Sequence, residues 1–146
     1  LNKIDERGEF MNVEKFKKDH NEILALVAEL RTITQAGIAK NADAIAQQIR
    51  TMSSVIKLHL AAEDRVLYPA LAKSQNPAVA KVGERFQQEM GGIAAAYMEF
   101  AGKWTIGSKV SSNPEGFKEE ANNLFKALHE RIQKENQELY PLADQI

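Results

Sequence analysis

The sequence predicts an all-α protein, an antiparallel up-down-up-down four-helix bundle. Three observations predict it. Four long stretches carry apolar residues at helical period, the linkers between them are short, and no strand-like alternation or hairpin turn competes. Each stretch runs about 20–30 residues, or roughly 30–45 Å at 1.5 Å per residue. Short connections between helices of that length put sequence neighbours antiparallel.

The first stripe is Val13, Phe16, Ile23, Leu24 and Val27, and ends near Gly37. The second is Ile45, Ile49, Met52, Ile56 and Leu60, with Asn41 or Asp43 as its cap and an interruption expected at Pro69. The third opens on Asn76-Pro77, an N-cap followed by proline at the first helical position, and carries Val79, Val82, Phe86, Ile93, Tyr97 and Trp104. The fourth opens in the same way on Asn113-Pro114. Its stripe is Phe117, Ala121, Leu124, Leu128, Leu139 and Leu142, with Pro141 near the end. The linkers fall at 37–41, 72–76 and 107–113.

The chain has 146 residues, enough for one domain with a real core. Nineteen basic and twenty acidic residues leave a net charge of −1. No basic patch stands out, which argues against a nucleic-acid partner. Apolar runs such as 24–28 and 93–98 fall far short of the roughly 18–20 residues that cross a bilayer, so no membrane partner is expected. There is no cysteine, hence no disulfide, thiolate ligand or cysteine nucleophile; this is compatible with a cytoplasmic setting. No signal peptide is evident. Residues 1–10, LNKIDERGEF, are polar and aperiodic, and their Glu-Phe pair is what a common cloning site encodes. They are read as a cloning remnant or flexible arm ahead of the domain at 11–146.

Ionisable residues in register with a core stripe are the informative ones, because burying charge is costly unless it is paired. There are five. His20 lies between Phe16 and Ile23, His59 and Glu63 follow Ile56, and Arg131 and Glu135 follow Leu128. Both pairs are spaced i,i+4 and so share one helix face. Two histidines and two glutamates from three helices are the means by which bundles build carboxylate-bridged metal sites, and the donor set suits Fe, Mn or Zn. A metal-free, mutually satisfied His–Glu–Arg network uses the same residues equally well. His129 lies off this face and reads as a surface histidine. The Gly91-Gly92 pair reads as close helix packing.

An internal repeat links the two halves. HLAAEDRVLYPALA (59–72) aligns with RIQKENQELYPLAD (131–144), matching Glu63, Leu67, Tyr68 and Pro69 to Glu135, Leu139, Tyr140 and Pro141. Upstream, DHNEIL (19–24) aligns loosely with EMGGIA (89–94), pairing His20 with Met90.

With KKDHNEI (17–23), these motifs resemble the hemerythrin-like, His-His-Glu cation-binding family, over essentially residue 12 to the end. The resemblance implies a four-helix bundle around a non-haem di-iron centre. Its implied roles are dioxygen binding, oxygen, redox or iron sensing, and repair of iron centres. His20, His59 and Glu63 match the family's ligands on the first two helices, and Glu135 matches the carboxylate of the fourth. Met90 stands where the third-helix histidine is expected, and Arg131 where the fourth-helix histidine is expected. Glu89 is the nearby spare carboxylate. One half of the di-iron site is thereby kept and the other lost. Arg131 would bring a permanent cation into the vacated half, able to bridge two carboxylates with its fork of donors.

Two functions follow from this. One is a metal-binding or sensing module with a degenerate centre holding at most one Fe, Mn or Zn ion on His20, His59, Glu63 and Glu135. The other is a metal-free regulatory or interaction bundle in which Arg131 replaces the metal. A working di-iron carrier or enzyme is disfavoured. No Ser–His–Asp set, phosphate-binding loop or CxxC supports another enzyme class. The expected cofactor is one non-haem iron (or Mn or Zn), or none. The partner the sequence points to is a metal ion, and it does not identify a protein partner.

Overall fold

A computed structural model describes residues 2–4 and 10–143, and it is helical almost throughout. Four long helices carry the fold: α1 (Val13–Gln35), α2 (Ala42–Ala62), α4 (Pro77–Trp104) and α6 (Pro114–Lys134). Three short helices, α3 (Tyr68–Ala72), α5 (Gly107–Ser112) and α7 (Tyr140–Ala143), complete the set among the described residues. At the N-terminus β1 (Asn2–Ile4) pairs antiparallel with β2 (Phe10–Asn12), a ladder that the helical reading of the sequence did not include. No described helix is long and apolar enough to cross a membrane.

The helix boundaries follow local chemistry. Asn76 and Asn113 cap α4 and α6 as expected, their side-chain oxygens each accepting from a backbone N–H at 3.0 Å, with proline behind them at the first position. Asn41 precedes α2 but caps nothing; its amide instead donates to the Gly37 carbonyl at 2.7 Å. Gly37 ends α1 with φ of +120°, a conformation that side chains rarely adopt. The linker expected at 107–113 is mostly helical, because fully buried Val110 anchors α5, which packs on α2.

The interruption expected at Pro69 takes a specific form. The chain passes through a π-helical turn at Glu63–Leu67 and continues as α3, and the same happens at Glu135–Leu139 before α7. Proline lacks an N–H and its ring clashes with the carbonyl four residues back. The wider turn accommodates this, with the N–H of Tyr68 bonding to Glu63 and that of Tyr140 to Glu135, five residues back.

Long helices pack consecutively, α1 on α2, α2 on α4 and α4 on α6, with α3 on α4. The apolar core divides into two clusters. One contains Ile23, Leu60, Tyr97 and Ile132; the other contains Val13, Leu67, Met90 and Leu139. His20 on α1, Glu63 just after α2 and Glu135 just after α6 each fall between members of the two clusters, so a polar layer divides the core. Gly83 lets α4 approach α3, since a Cβ there would lie 2.5 Å from the Ala72 backbone nitrogen. The Gly91-Gly92 pair, read as close packing, instead faces open space on both counts.

Candidate metal centre

The polar layer consists of His20, His59, Glu63, Arg131 and Glu135, all buried and all five expected from the stripes. One donor atom from each of His20, His59, Glu63 and Glu135 lies within 4.8 Å of the others. The i,i+4 spacing of His59 and Glu63 brings Nε2 to 3.0 Å from Oε1. His20 Nε2 reaches Glu135 Oε1 at 3.1 Å.

Each imidazole is held from behind. His20 Nδ1 donates to Asn136 Oδ1 at 2.9 Å, and His59 Nδ1 bonds to Asp19 Oδ2 at 3.1 Å. Fixing Nδ1 in this way sets the ring orientation and turns Nε2 inward, as outer partners of metal-binding histidines do. His59 Nε2 is buried and makes no hydrogen bond, although Glu63 Oε1 lies 3.0 Å away. A buried imidazole nitrogen without a hydrogen bond, beside a carboxylate oxygen, fits a shared cation.

Arg131 fills the other side of the layer. Its Nη2 donates to Glu63 Oε1 at 3.3 Å and to Asp64 Oδ1 at 3.0 Å, and its Nε donates to Glu135 Oε2 at 3.4 Å. Nη1 donates to the Met90 carbonyl at 3.2 Å, so the two residues standing at the expected histidine positions bond to each other. The guanidinium also lies 5.1 Å from the centre of the Tyr68 ring, within cation–π range. Met90 itself is core. Glu89, the spare carboxylate, is a surface residue paired with Lys134 at 3.8 Å. His129 is exposed, as expected.

Five contributors escaped the stripe argument: Asp19, Asp64, Tyr68, Asn136 and Tyr140. Tyr140 donates to Glu63 Oε2 at 2.6 Å and sits 2.8 Å from His20 Nε2. Tyr68 donates to Glu135 Oε2. In a regular α-helix residues five apart lie about 140° apart around the axis, on different faces. The π turns bring each tyrosine round to the face of its glutamate. The duplicated Leu-Tyr-Pro was the available signal, and Asp19 was visible as the neighbour of His20.

The protonation of the layer follows from its crowding. Burial would raise the pKa of Glu63, but the adjacent His59 and the Arg131 guanidinium outweigh it and hold the carboxyl low. Glu135 is pushed up by burial and by the nearby charge of Glu63. The same crowding thus moves the two carboxyls in opposite directions, Glu63 down and Glu135 up, as for two acids that share one buried site. Burial works against a charged His59, yet Glu63 and Asp19 raise its pKa overall. Burial and the carboxylate charges raise both phenols, which therefore remain donors. The donor set of two imidazoles and two carboxylates fits one transition-metal ion.

A model of the hemerythrin HHE cation-binding domain matches residues 11–143. No curated protein and no solved structure shows significant similarity to the chain. The match spans both repeated hairpins and all five buried ionisable residues, so the chain belongs to the hemerythrin HHE cation-binding domain family.

Proposed function

We propose that the chain is a metal-binding or metal-sensing module. It holds at most one transition-metal ion on His20, His59, Glu63 and Glu135, and Arg131 takes the place of a second ion. The observation that carries this reading is the outer support of both imidazoles by Asn136 and Asp19, which leaves two Nε2 atoms beside two carboxylates within 4.8 Å. Iron is the first candidate, with manganese and zinc compatible with the same donors. Bound there, the ion would supply Lewis acidity and, if iron or manganese, a redox couple. The chain's own residues do the rest. Asn136 and Asp19 orient the rings, and Tyr140 and Tyr68 each hold one carboxylate oxygen. Arg131 neutralises charge that the family's second ion would otherwise offset. The role is binding or sensing rather than catalysis, in an antiparallel up-down-up-down bundle whose support is the consecutive packing of the long helices. A cytoplasmic setting rests only on the cysteine-free composition.

A second reading has its own observation. Each carboxylate oxygen of Glu63 and Glu135 already has a partner: His59 and Arg131 or Tyr140 for Glu63, and His20 or Tyr68 and Arg131 for Glu135. In a metal-free regulatory or interaction bundle these carboxylates would need nothing more, while His59 Nε2 would stay without a hydrogen bond. Elemental analysis of the purified protein, with His20→Ala and His59→Ala alongside, separates the two. Stoichiometric metal that both variants lose supports the first reading, and metal-free protein supports the second.

A further inference from the structure

The consecutive packing of the helices leaves one seam unclosed. α1 packs on α2 and α6 on α4, while between α1 and α6 lies a groove of about 460 Å³. Its volume falls within the range of small-molecule sites. The walls are apolar, with Leu24 and Val27 from α1 facing Phe125 and Leu128 from α6. Small side chains, Ala28 and Ala121, leave the space open. Its lining runs from Ile23 to Thr34 along α1, about 16 Å at 1.5 Å per residue.

The charged part of the lining has one sign. Arg31, Lys126 and His129 line the groove, and among the described residues no acidic side chain does. No described ion pair engages Arg31 or Lys126, whereas Lys103 and Lys134 have acidic partners at 2.9 Å and 3.8 Å. Two cations and an imidazole beside an apolar slot complement a molecule with an extended hydrocarbon tail and one anionic head. A second copy of this chain is a poor occupant. Two-fold pairing sets the same patch against itself and would oppose like charges.

We propose that this groove binds a free medium-chain carboxylate, with the tail against Val27, Phe125 and Leu128 and the head at Arg31 and Lys126. Ile23, Leu128 and Ile132 lie three residues from His20, Arg131 and Glu135 respectively, so the occupied groove would abut the buried polar layer. The proposal does not require a metal there.

Calorimetric titration of the purified chain with decanoate tests it, using decanol as the uncharged analogue. The expected result is saturable one-to-one binding of decanoate, at least about tenfold tighter than decanol. Arg31→Glu and Lys126→Glu should each weaken it by about tenfold, the scale of one charge-assisted contact. Val27→Trp should abolish it by filling the slot. The two charge reversals change exposed residues and keep the test valid should Val27→Trp fail to fold by circular dichroism. No saturable binding, or equal binding of acid and alcohol, or indifference to both charge reversals would overturn the proposal. So would concentration-dependent dimerisation lost in Val27→Trp without decanoate binding, which would assign the groove to a second copy.

Discussion

Tyr140, in the second repeat, donates its phenolic proton to Glu63 of the first at 2.6 Å. Tyr68 returns the arrangement, donating to Glu135. Each Leu-Tyr-Pro segment thus serves the carboxylate of the other hairpin, and the two π turns that begin at the glutamates make this exchange possible.

If the exchange stabilises the layer, Tyr140→Phe should cost about 1.5–3 kcal/mol, the range for a hydrogen bond to a charged group, and Tyr68→Phe about 0.5–1.5 kcal/mol, because Glu135 holds its proton to higher pH than Glu63. The ring packing is preserved in both, so the loss reports the hydroxyl. Urea unfolding monitored by circular dichroism measures it. A change below about 0.5 kcal/mol in either variant, the scale of a surface substitution, would mean that these contacts do not matter to the fold.

Arg131 is fully buried among Glu63, Asp64 and Glu135. Removing one member of a buried ion network typically costs about 3–5 kcal/mol because the partner charges are stranded. Arg131→Met should destabilise the metal-free protein on that scale. The control Arg65→Met, at an exposed position, should shift stability by about 0.5 kcal/mol or less. Equal unfolding midpoints for the two variants would contradict the surrogate-cation role.

The glycines of α4 divide by environment. Gly91→Ala and Gly92→Ala meet open space and should each stabilise the helix by about 0.5–1 kcal/mol through reduced backbone entropy loss. Gly83→Ala drives a Cβ into the backbone of Leu71 and Ala72 and should cost about 1–3 kcal/mol. Thermal unfolding of the three variants checks the order, which fails if Gly83→Ala is neutral.

Metal affinity should rise with pH. Glu135 and His59 both have raised pKa values, the first through burial and the charge of Glu63, the second because Glu63 and Asp19 outweigh burial. Each therefore holds its proton to higher pH than usual, and each must release it to ligate a cation. Below those raised values protons compete with the metal; above them the competition ends. Titrations at a series of pH values, with proton release read from buffers of different ionisation enthalpy, should show tighter binding and fewer protons released as pH rises. Affinity independent of pH would exclude these two groups as ligands.

Much of this was legible from the stripes alone. Helical period set the four long helices, and i,i+4 spacing put His59 with Glu63 and Arg131 with Glu135. The capping asparagines before Pro77 and Pro114 marked two helix starts. The π turns were not legible, because periodicity counts proline as a break and carries no signal for a turn one residue wider. Tyr68 and Tyr140 were missed for the same reason: in a regular helix they would face away from the glutamates. Asn136 and Asp19 escaped because short polar residues at the edge of a stripe look like surface. Glu89 was a spare carboxylate near the layer by sequence, and only the structure puts it at the surface with Lys134. The Gly91-Gly92 pair misled because a sequence does not distinguish a glycine required for contact from one in open space.

The metal content of the purified chain bears most directly on the central proposal, that one ion and one arginine share the layer. Elemental analysis after iron loading should give one iron per chain, none in His20→Ala or His59→Ala, and two in the double variant Met90→His with Arg131→His. Two irons in the unaltered chain, or no iron, manganese or zinc bound after loading with each, would contradict the account.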